Sequence, residues 1–82
     1  MIYYEISNQR RIELKGYWLI NILDIANGPA TIEAFSLIDS IVTVSNERGE
    51  LLGICCPETT TDARIARVIE WYDEKYGPAE YR

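Results

Sequence analysis

One amphipathic stretch near the C-terminus constrains the fold more than any other feature. Across residues 62–76 the apolar positions Ile65, Val68, Ile69, Tyr72 and Tyr76 recur at three- and four-residue intervals. At about 100° per residue they share one side of a helix. Thr59-Thr60-Thr61-Asp62 offers side-chain oxygens to the free N–H groups of the first turn, and Gly77-Pro78 closes the pattern. Such a helix must bury its apolar side on a partner layer, and the preceding chain alternates like strands. Ile2, Tyr4 and Ile6 match in period two, then Ile12 and Leu14, then the branched run Ile41-Val42-Thr43-Val44-Ser45, then Leu52, Ile54 and Cys56 before Pro57. Asn46-Glu47-Arg48-Gly49 reads as a hairpin loop with Gly49 in a left-handed position.

Two segments are harder. Tyr17-Trp18-Leu19-Ile20-Asn21-Ile22-Leu23-Asp24-Ile25 is dense in aromatic and branched residues, and its composition predicts a central strand covered on both faces. Residues 30–39 fit either a short helix, with Thr31 as cap and Ile32, Phe35 and Ile38 inward, or an outer strand. The expected fold is therefore α+β: one domain over residues 1–82, an antiparallel meander of four to six strands, and a C-terminal helix on one face.

Composition narrows the chemistry. The chain has 82 residues, 48% hydrophobic and 26% charged, which is the make-up of a folded domain. Its net charge of −5 argues against direct nucleic-acid binding, which needs clustered cations on phosphate. There is no histidine, so the commonest general base and metal ligand are missing. The two cysteines, Cys55 and Cys56, are adjacent. Neighbours in a strand point to opposite faces, and their spacing suits neither a loop-closing disulfide nor a zinc site. They are expected as reduced thiols, which fits a cytoplasmic location. The first residues show no secretory pattern, and the longest apolar run falls far short of a membrane span. The five glycines are too scattered for a phosphate cradle. Gly53, within a strand, marks close packing, a bulge or a ligand's approach to the backbone. Glu5, Glu13 and Asp24 are the acids that neighbouring strands could bring together. No catalytic residue, metal ligand or cofactor is assigned on this reading.

The C-terminal helix holds the one pattern that departs from a bland surface. Trp71 lies about 60° beyond Val68 on the helical wheel, between Arg67 and Arg64, with Lys75 one turn on. The i to i+4 spacings permit cation–π contact. Arg64 in the first turn and Asp73 and Glu74 near the end run against the helix dipole, a local cost of the sort that function explains. Trp and Arg also dominate binding hot spots. The leading expectation is a small, acidic, non-catalytic binding protein, an inhibitor or regulator of the kind phages and other mobile elements carry. It would occupy a surface of a protein partner through Arg64, Arg67, Trp71 and Lys75. A second reading is a nucleotide-like ligand sequestered by an oligomer through Arg10, Arg11, Tyr17 and Arg48. A third is acidic mimicry of nucleic acid. Open sheet edges, Tyr3, Tyr17 and Tyr81, and the tail 78–82 suggest a homodimer.

Overall fold

The computed structural model of the chain describes residues 1–26, 30–36 and 40–76, and for residues 25–26 and 33–36 their backbone only. The elements run β1 (Ile2–Glu5), β2 (Arg10–Glu13), α1 (Trp18–Ala26), β3 (Ala30–Ser36), β4 (Ile41–Asn46), β5 (Leu51–Cys56) and α2 (Asp62–Tyr76). The fold is α+β: a five-stranded antiparallel sheet in the order β2-β1-β5-β4-β3, with two helices. β1 pairs with β2, and β4 with β3 and β5, while β1 joins the two groups by pairing with β5, Ile2 opposite Cys56 and Tyr4 opposite Ile54. Gly16, Asn27-Gly28-Pro29 and Gly77-Pro78 all served as punctuation in the sequence; the latter two lie outside the described residues, as does the tail 78–82.

Strand alternation divides the core into two clusters, one on each face of the sheet. On one face Ile2, Ile41, Ile54 and Cys56 pack with Ile65 and Val68 of α2, joined by half-buried Tyr4 and Ile69. On the other, Tyr3, Leu14, Val44 and Cys55 pack with Ile22 of α1, and half-buried Trp18 joins them. Cys55 and Cys56 thus point to opposite faces, both fully buried and both free. Burial pushes the Cys55 thiol up to about 12, with Cys56 beside it adding to the shift.

One expectation is overturned. Residues 17–25 do not form a central strand; Trp18–Ala26 is helix α1. The central position belongs to β5 and β1, whose side chains are buried on both faces. Gly16 is the physical pivot, with φ of +51° just before the helix, and the Asn21 amide donates back to the Lys15 carbonyl across the first turn. The ambiguous stretch resolves over 30–36 as the outer strand β3, paired with β4; residues 37–39 lie outside the described part. Gly49 takes φ of +79° in the β4–β5 hairpin, where the Asn46 side-chain oxygen accepts the N–H groups of Arg48 and Glu50.

Gly53 is the tightest point of the sheet. A Cβ at this position would overlap the Tyr3 phenol. The β4–β5 register also shifts here, with Val44 opposite Gly53 and Ser45 opposite Leu51. The glycine therefore serves close packing rather than a ligand.

Candidate functional site

Helix α2 is set on the sheet by three devices. Thr61 caps it: its Oγ1 accepts the Arg64 N–H at 3.2 Å and its carbonyl accepts the Ile65 N–H at 3.0 Å. Arg11 on β2 donates to Asp62 Oδ1 and to the Thr60 carbonyl, both at 2.8 Å, tying the sheet edge to the helix start. At the far end the buried Tyr72 hydroxyl donates to the Gly49 carbonyl at 2.6 Å, and its ring meets that of Tyr76 at 4.6 Å. With Ile65, Val68 and Tyr72 buried, the rotation of the helix is fixed.

That rotation decides what faces outward. Trp71 is half-buried on the flank, and Lys75 Nζ sits 4.9 Å from the centre of its ring, the i to i+4 contact the spacing predicted. The same ammonium lies 5.2 Å from the Tyr76 ring. Arg67 and Trp71 line a shallow depression of about 460 Å³ together with Glu70 and Glu74. Arg64 is half-buried in the first turn, next to the cap. The face is therefore not a purely cationic stripe. Two carboxylates share it with Arg67 and Lys75, around an indole. Glu70 was not singled out in the sequence; its spacing of three from Arg67, four from Glu74, was the available signal.

The alternative ligand residues are not brought together. Adjacent strand positions point to opposite faces. Arg10 accordingly pairs with Glu5 at 3.4 Å, while Arg11 pairs with Asp62 on α2. Arg48 pairs with Glu50 at 2.9 Å in the far hairpin, and Tyr17 stands exposed before α1, on the face away from α2. Acidic mimicry needs rows of unneutralised carboxylates, yet Glu5, Glu50, Glu58 and Asp62 each face a cation.

The remaining acid and thiol groups are structural. Glu5 is buried at the end of β1. Burial alone would raise its pKa, but hydrogen bonds from Asn8 and Ser7 and the charge of Arg10 outweigh that and hold the carboxyl below its usual value. Cys56 lies near the start of α2, where Thr60, Arg11 and the N-terminal amine favour a thiolate. Burial is the larger effect and leaves its pKa raised. Among the described residues no group of three or more Cys, Asp or Glu side chains converges to hold a metal ion. No described helix is long and apolar enough to cross a membrane. Comparison with protein-family models, with curated proteins and with solved structures gave no match to this chain.

Proposed function

We propose that this is a non-catalytic binding protein, an inhibitor or regulator, that occupies a surface of a partner protein through the outer flank of α2. The observation that carries the reading is the half-buried Trp71 with Lys75 over its ring, lining a depression with Arg67, Glu70 and Glu74. An aromatic anchor held against the helix loses little side-chain freedom on binding, and a mixed-charge surround gives register. The two carboxylates at the depression would repel a phosphate backbone, which favours a protein over a nucleic acid as partner. Chain length and net acidity suit the regulators that mobile elements direct at host machinery, and two buried thiols suit a reducing cytoplasm.

The test begins with affinity capture from the native host and identification of the retained protein. That protein is then titrated with the wild-type chain, with Arg67→Glu, and with Trp71→Ala combined with Arg67→Ala. Arg67 is exposed, so its reversal leaves the fold intact. Loss of affinity by tenfold or more in both variants, with unchanged circular dichroism, supports the assignment. Undiminished binding by the double variant sinks it.

A further inference from the structure

Helix α1 presents a second surface, on the opposite side of the sheet from α2. Its sequence, WLINILDIA, is apolar almost all round. Among its described side chains only Ile22 is buried, with Trp18 and Asn21 half-buried. Ile20 is 57% exposed, Leu19 45% and Leu23 39%, and Tyr17 just before the helix is 83% exposed. A helix apolar on all sides is ordinarily covered on all sides. On the helical wheel Leu19, Ile20 and Leu23 fall within about 100° of one another, an exposed apolar side of the kind that marks interaction sites.

We infer that α1 is the self-association surface of the protein, packing antiparallel against α1 of a second copy about a two-fold axis between Leu19 and Ile20. Charge placement selects this occupant. Lys15 and Asp24 flank the patch at opposite ends, and neither makes an ion pair within the chain among the described residues. An antiparallel two-fold between Leu19 and Ile20 sets Leu19 against Ile20 of the second copy and Lys15 against its Asp24, each contact occurring twice. A parallel arrangement would instead oppose like charges. A lipid surface fits less well, because helices that lie in a bilayer interface carry Lys and Arg on their polar side and α1 has neither. The β2 edge of the sheet fits less well too: it is Arg10-Arg11-Ile12-Glu13, three charges in four residues, the pattern that blocks edge pairing. One nine-residue helix against another is a small contact beside the ~1,600 Å² of a standard stable interface, so the dimer is a weak one.

Sedimentation equilibrium of the purified chain from 10 µM to 1 mM, an order-of-magnitude range chosen for a weak interface, reads the result. Wild type should dimerise, and Ile20→Glu should lower the association constant by about tenfold or more. Lys15→Glu and Asp24→Lys should each weaken it, and the two together should restore it. A monomer throughout the range, a dimer indifferent to Ile20→Glu, or a double reversal that fails to restore association overturns the inference. So does Ile20-dependent uptake onto phosphatidylcholine vesicles by a chain that stays monomeric in solution. None of these substitutions touches α2, so the outcome is separable from that of the partner-capture experiment.

Discussion

Substituting Gly53 by alanine tests the packing of the central strands most directly. In a strand, alanine is ordinarily favoured over glycine by about 0.5–1 kcal/mol, because less backbone entropy is lost on folding. Here the new methyl would occupy the space of the Tyr3 ring. A tyrosine at the surface could swing aside, but Tyr3 is 1% exposed and enclosed by Leu14, Ile22, Val44 and Cys55. Overpacking in such a site costs about 1–3 kcal/mol, often through backbone shifts. The cost exceeds the gain, leaving a net loss of about 1–2 kcal/mol from the two opposing ranges. Urea denaturation followed by tryptophan fluorescence reads this as a midpoint lowered by about 1–2 M, taking an m-value near 1 kcal/mol/M for a chain this small. Tyr3→Leu removes the obstructing ring at its own cost of about 2 kcal/mol. The double variant should then be scarcely worse than Tyr3→Leu alone, a coupling of about 1 kcal/mol or more. A midpoint for Gly53→Ala at or above wild type, or strictly additive losses in the double variant, would refute the reasoning.

Stability should be level between about pH 6 and 8, since the chain has no histidine to titrate there, and fall in alkali. Tyr3 and Cys55 are each held protonated up to about 12 in the folded state, from ordinary values of 10.0 and 9.0. Groups raised in this way stabilise fully below the unfolded value and lose that contribution as pH climbs to the folded one. Thermal melts should therefore drop progressively above about pH 9, and a flat profile to pH 11, an order-of-magnitude bound, would contradict the burial of these groups. At pH 8 an aromatic disulfide reagent should label neither thiol in the folded chain and both in urea, because Cys55 and Cys56 are fully buried; rapid labelling of folded protein would show the site of Cys56 to be open. Arg11→Ala should cost about 0.2–1 kcal/mol, and less in high salt, since the guanidinium that ties β2 to Asp62 is exposed to screening; denaturation midpoints at low and high ionic strength measure both.

The parts legible in the sequence are those where one period had no rival. Helix α2 follows from apolar residues at helical spacing, and Ile65, Val68 and Tyr72 are its buried residues. The β4–β5 hairpin follows from branched residues on either side of Asn46-Glu47-Arg48-Gly49, with Gly49 in the left-handed region. The opposite burial of Cys55 and Cys56 follows from strand alternation alone. The Trp71–Lys75 contact was also readable, because helix geometry fixes it whatever lies beneath. The mixed charge of that surface was less so: it depends on how the helix is rotated on the sheet, which tertiary contacts such as Tyr72 to Gly49 decide.

Composition alone does not reveal helix α1. Trp, Ile and Leu at six of the first eight positions would equally fill a strand, and a run apolar on nearly every side has no strong period of its own. The residues that break the tie are the polar ones. Asn21 and Asp24 are three apart; in a strand they would face opposite sides of a buried sheet, leaving one of them desolvated. On a helix they lie about 60° apart, on the side turned away from Ile22. Asn21 uses that position to reach the Lys15 carbonyl, and Asp24 reaches water. A buried strand would have to hide polar groups, whereas a helix hides Ile22 and Trp18 and leaves Ile20 and Leu23 in solvent. Exposed hydrocarbon is the smaller penalty, and it is one that a second copy can relieve. The same polar pair that makes residues 18–26 a helix thus leaves an apolar side uncovered, and the local choice of secondary structure supplies the surface on which self-association rests.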